Sequence, residues 1–98
     1  MGGLIMREID ESKYPMTEEE FIKRIKELYL EHSTWDMPTK LGYINSEQGL
    51  EDMKIEYIDS CGYYDRYVND YPDYPNIAFE ECGLLSCVSD LDRLTEFY

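Results

Sequence analysis

The chain predicts a small α+β domain: an N-terminal helix, one or two further helices, and a small sheet or extended segments packed against them. Three observations carry this expectation. Residues 17–31 hold a complete helix signature. Leu4 and Met6 suit a short strand, and Met53, Ile55 and Tyr57 alternate as a half-buried strand would. The run Asp70-Tyr71-Pro72-Asp73-Tyr74-Pro75-Asn76 excludes regular structure, because two prolines remove donors and push each preceding Tyr to extended geometry. An all-helical domain is the alternative. Ninety-eight residues suit one domain over 1–98, with enough chain for a single modest core.

The first helix is expected from Thr17 to Glu31. Thr17 and Glu20 form a capping box, Met16 and Phe21 take the staple positions, and Glu18, Glu19 and Glu20 face the positive end of the helix dipole. Phe21, Ile22, Ile25, Leu28 and Tyr29 then share one apolar face. Residues 32–46 read as a loop in which His32, Trp35 and Pro38 pack back on the core and Gly42 marks a turn. Asn45 or Ser46 caps a second helix over about 47–60, weakened by Gly49 and stopped at Gly62. Residues 63–68 fit either a short helix or a strand. Ser89 is expected to cap a last helix that turns Leu91, Leu94 and Phe97 inward.

Charge narrows the function. The chain carries 22 acids against 9 bases, a net of −13. Residues 47–98 hold thirteen of those acids and three of the bases. Direct binding to nucleic acid or to an anionic membrane needs a Lys/Arg patch, and this chain lacks one. The first residues lack the apolar core of a signal peptide, so the cytoplasm is expected. Three cysteines, Cys61, Cys82 and Cys87, do not suit a secreted disulfide framework.

Enzymatic and metal chemistry find little support in the residues. Zinc ligands usually arrive in close pairs, whereas Cys82 and Cys87 have four residues between them and no second pair. Cysteines acting as small buried hydrophobes are the better account. His32 with one cysteine is a formal nucleophile pair, but no nucleophile loop surrounds either. Asp59–Asp65 and Asp70–Asp73 lack the calcium-loop pattern, and no Gly-rich phosphate cradle occurs. No catalytic residue, cofactor or metal is expected.

What stands out is an acidic half crowded with tyrosine. Six tyrosines fall between positions 57 and 74, interleaved with Asp59, Asp65, Asp70 and Asp73. Tyrosine offers large contact area at low entropic cost and stacks on guanidinium, while carboxylates pair with Lys and Arg. The expected partner-binding residues are Asp59, Tyr63, Tyr64, Asp65, Tyr67, Asp70, Tyr71, Asp73, Tyr74, Glu80 and Glu81. A solvated acidic face with ordinary core tyrosines, as in a small adaptor, is the plainer account of the same residues.

With Glu47, Glu51, Asp52, Glu56 and Asp59 along one helix, Asp65, Asp70 and Asp73 among tyrosines, then Glu80 and Glu81, the chain resembles small acidic inhibitors of phages and mobile elements. Those groups are the anti-CRISPR proteins, the antirestriction proteins and the uracil-glycosylase inhibitors. The resemblance is one of size and composition, and it implies a non-enzymatic nucleic-acid mimic. The partner would be a basic nucleic-acid-binding protein such as a nuclease, restriction enzyme or CRISPR effector. It extends to immunity proteins and antitoxins that block a basic toxin nuclease. A mimic should spread its acids in rows over a broad face, whereas an immunity protein should gather them around one plug.

Overall fold

The computed structural model describes residues 9–70 and 75–98. Four α-helices are present: α1 (Glu18–His32), α2 (Met37–Ile44), α3 (Glu47–Tyr67) and α4 (Glu81–Leu94). Single 3₁₀ turns at Glu11–Lys13, Pro75–Phe79 and Thr95–Phe97 join or end them. Among the described residues there is no strand, so the α+β expectation is corrected to all-α. The strand proposed at Leu4 and Met6 lies outside the described residues. The alternation in α3 has a helical explanation. Met53 and Tyr57 are one turn apart and fully buried, while Ile55 between them points outward and is 54% exposed.

α1 forms as its sequence predicts. The Thr17 hydroxyl accepts the Glu20 N–H at 3.2 Å, and the Glu20 carboxylate accepts the Thr17 N–H at 2.9 Å. Phe21, Ile25, Leu28 and Tyr29 are buried along one face. The following residues are not a loop throughout. Met37–Ile44 is helical, with Pro38 in the first turn, where its missing N–H has no bond to lose. Tyr43 and Ile44 carry this short helix into the core, and the Lys40 ammonium donates to the Leu30 carbonyl at 2.8 Å. Of the three residues expected to pack back, only Trp35 does so, its Nε1 donating to the Asp92 carbonyl at 2.7 Å; His32 and Pro38 are exposed.

α3 begins at the predicted cap, where Ser46 Oγ accepts the Gly49 N–H at 3.0 Å. It does not stop at Gly62. A side chain there would meet open solvent, so the glycine costs only propensity, about 1 kcal/mol, and core contacts on either side carry the helix to Tyr67. α4 starts eight residues before the cap expected at Ser89, which lies exposed within it. Leu84, Cys87, Val88 and Leu91 form its buried face. Leu94 and Phe97, expected inward, are 37% and 83% exposed; Leu94 ends α4 and Phe97 lies in the 3₁₀ turn after it.

The core therefore draws on all four helices and on Phe79 from the turn before α4. Two glycines let the elements meet. A Cβ at Gly49 would stand 2.1 Å from the Tyr43 carbonyl oxygen, and one at Gly83 would stand 2.2 Å from that of Ile77. Gly49, read from sequence as a weakness of α3, is what lets the end of α2 lie against it. The arrangement leaves one side of the α3–α4 pair open as a groove.

Candidate functional site

The groove has a volume of about 480 Å³. α3 supplies Glu56, Asp59, Ser60 and Tyr63, α4 supplies Cys82, Gly83, Ser86, Cys87 and Asp90, and Ile77 and Ala78 close one end; Cys82, expected buried, is exposed. Helical spacing explains the convergence. Glu56, Asp59, Ser60 and Tyr63 lie three or four residues apart, hence on one face of α3; Gly83, Ser86, Cys87 and Asp90 repeat that spacing on α4. One end is thus apolar and aromatic, the other carboxylate-rich. No Lys, Arg or His lines it among the described residues.

Glu56 sits deepest of the acids, 7% exposed. Burial, then the charge of Asp90 and a hydrogen bond to it, push its carboxyl up to about 7, against a weaker opposing bond with the Cys87 thiol. The Cys87 thiol is itself pushed up to about 12, by burial first and then by Glu56, so it stays protonated and unreactive at neutral pH. Asp90 also pairs with the exposed Arg93, three residues on. Among the described residues no group of three His, Cys, Asp or Glu side chains is disposed to hold a metal ion.

This environment sets a pH dependence. The folded chain holds the Glu56 proton more tightly than the unfolded chain, whose value lies near 4.5. Stability should therefore fall as pH rises from about 4.5 to about 7, by roughly 2 to 3 kcal/mol. Asp92 acts oppositely. Burial would raise its carboxyl, but bonds from the Ser33 and Thr34 hydroxyls and the Thr34 N–H hold it low, so its contribution is lost in acid. Urea unfolding across this range should show stability declining toward neutral pH, with that limb absent in Glu56→Gln. A variant that keeps the same limb would locate its origin elsewhere.

The residues expected to bind a partner separate into several places. Asp59 and Tyr63 line the groove. The Tyr67 ring lies 4.9 Å from that of Tyr63. Tyr64 turns toward the core, edge-on to Tyr14 and Phe79. Asp65 is on another flank of α3, where both of its oxygens accept the Tyr14 hydroxyl at 2.9 and 3.1 Å. Asp70 and Glu80 are exposed, and Glu81 pairs with Arg24 at 3.2 Å. Tyr71, Asp73 and Tyr74 lie outside the described residues.

The row of acids expected along α3 is also broken, because Asp52 and Glu56 are buried. Asp52 accepts the Tyr43 hydroxyl at 2.5 Å and a Gln48 amide N–H at 3.0 Å, fastening α2 to α3. Burial and then Asp52 drive the Tyr43 hydroxyl well above the usual tyrosine range. Glu56 and Asp90 are the groove residues that site prediction missed. Their spacing from Asp59 and Cys87 was visible, but only the pairing of α3 with α4 shows that the two acids meet.

No family model, curated protein or solved structure matches this chain. Its function is therefore argued from the groove itself. No helix among the described residues is long and apolar enough to cross a membrane.

Proposed function

We propose that the protein is a non-enzymatic inhibitor that engages the basic groove of a nucleic-acid-binding enzyme, such as a nuclease, restriction enzyme or CRISPR effector. The observation that supports this is the α3–α4 groove, where carboxylates from two helices converge beside a tyrosine with no lining cation among the described residues. The net charge of −13 steers a basic partner toward it, and Asp59 with Asp90 then accepts charge-assisted hydrogen bonds. Tyr63 and Tyr67 supply contact area, while Asp70 and Glu80 add exposed charge at either end of the segment joining α3 to α4. Asp65, bonded to Tyr14, and Glu81, paired with Arg24, do not line this groove.

A specific observation favours a second reading, an immunity protein or antitoxin against a basic toxin nuclease. Burial of Asp52 and Glu56 interrupts the acidic row on α3 and gathers charge at one groove, as a plug would require. Both readings predict capture of a basic nucleic-acid enzyme from host lysate, weakened by salt and competed by DNA. Asp59→Asn with Tyr63→Leu should weaken that binding about 10- to 100-fold, as loss of a charged pair and an aromatic anchor does. Capture of a partner indifferent to salt, DNA and this variant would refute both. The two separate on the captured enzyme: a toxin encoded beside the inhibitor, or a host defence nuclease.

A further inference from the structure

Resting on the binding role proposed above, we propose that the α3–α4 groove is a receptor for one arginine side chain of the basic partner. The shape of the groove argues for a long side chain with a charged end. Ile77, Ala78 and the Tyr63 ring suit a three-carbon stem, and Glu56, Asp59 and Asp90 stand beyond them on two facing helices. A divalent cation is the poorer fit, since these carboxylates are not disposed around one metal position. Guanidinium spreads its charge over five donors in a plane, stacks on aromatic rings and is weakly hydrated, so it suits carboxylates arriving from two directions at a half-buried site. Lysine's compact, strongly hydrated ammonium suits it less.

Asp90 already pairs with a guanidinium within the chain, that of Arg93 three residues on. That pair is exposed, with Arg93 75% accessible, so it is weak, and Asp90 also lines the groove. The groups facing Glu56 explain the proton. On α3 these are Asp59 and Ser60, on α4 Cys87 and Asp90 with Arg93 behind it, and on α2 the Tyr43 hydroxyl, which senses the Glu56 charge. Burial, then the Asp90 charge and hydrogen bond, favour the protonated Glu56 carboxyl up to about pH 7. An entering guanidinium stabilises the carboxylate, the proton passes to solvent, and the two acids grip the cation instead of each other. Binding near neutral pH therefore releases a proton.

The test uses the full chain and the tripeptide Gly-Arg-Gly, with Gly-Lys-Gly and Gly-citrulline-Gly as comparisons, followed by NMR at pH 6 and pH 8. Gly-Arg-Gly should perturb Tyr63, Ser86 and Asp90. Its affinity should rise up to about tenfold from pH 6 to pH 8, the limit for one obligatory proton lost near 7. In Glu56→Gln the affinity should be independent of pH and no higher than the parent's at pH 6, while the spectrum confirms the fold. Lysine should bind several-fold more weakly and neutral citrulline not at all. Shifts on another face, equal binding of citrulline, a pH-independent affinity, or no shift at all would each overturn the proposal. The peptides test the groove without the partner. Lysate capture that succeeds while the arginine test fails removes this inference and leaves the inhibitor reading standing; the reverse result removes only the inhibitor reading.

Discussion

Alanine at Gly83 should destabilise the protein by at least about 3 kcal/mol, although alanine is the better helix former by about 1 kcal/mol. The reason is that its Cβ would meet backbone. It would stand 2.2 Å from the Ile77 carbonyl oxygen and 2.8 Å from both Cα and the carbonyl carbon of Ala78. No side-chain rotation relieves such contacts, so α4 must separate from the turn before it, and packing around Phe79 and Leu84 is lost with it. Gly49→Ala should behave alike, against the Tyr43 carbonyl oxygen at 2.1 Å. Gly62 provides the opposite sign on the same scale. Its Cβ would meet nothing within 4 Å, so Gly62→Ala should stabilise by up to about 1 kcal/mol. Urea unfolding of the three variants checks the set. A Gly83→Ala protein as stable as the parent would mean that α4 does not approach Ile77 this closely.

Phe79→Ala should cost about 3 to 5 kcal/mol, a large share of the 5 to 15 kcal/mol typical of a small domain. Phe79 is 6% exposed, and its ring centroid lies 6.2 Å from Phe21, 6.2 Å from Tyr57, 6.3 Å from Tyr14 and 6.3 Å from Tyr64. It therefore pins a short turn to α1, α3 and the N-terminal segment at once. Truncation leaves a cavity lined by rings that cannot collapse into it. Because Ile77 and Ala78 belong to the same turn, the apolar end of the groove should loosen as well. Hydrogen exchange should show faster opening at the start of α4, and Phe79→Leu should recover part of the loss. A Phe79→Ala variant with parental stability and exchange would place the turn outside the cooperative core.

These two sites explain why the end of the groove escaped the sequence. Ile77 and Ala78 follow a Tyr-Pro-Asp-Tyr-Pro run that reads only as irregular chain. Phe79 is apolar and reads as a core residue, as the structure places it, but nothing local says that Gly83 is a contact point. Gly83 and Gly49 look alike on paper to Gly62, yet the first two sit against backbone and the third faces water. The difference is a distance between elements, which no local pattern encodes.

The partner-binding residues show the same division. Asp59 and Tyr63 both read as partner-binding residues, but the helix was expected to stop between them; because α3 runs on through Gly62, they share the groove. Asp65, six residues beyond Asp59, lies about 120° round the helix and meets Tyr14, fifty-one residues earlier in the chain. Tyr64, one residue beyond Tyr63, turns to the core. Composition recognised the acidic, tyrosine-rich half correctly as unusual but treated it as one surface, whereas a helix distributes its residues over every side.

What the sequence by itself determined is local. Thr17, Glu20 and the apolar face of α1 specify that helix, and Ser46 specifies the start of α3, because caps and amphipathic spacing act over a few residues. It also determined the strong negative charge, which is additive and needs no fold. The tertiary structure decided the rest: that α3 runs through Gly62, that α2 and the first turns of α4 are helical, and that Asp52 and Glu56 are buried. It alone brings Glu56 against Asp90. Those outcomes depend on which faces pack together, since burial stabilises a weak helix and changes the chemistry of a carboxyl more than its neighbours in sequence do.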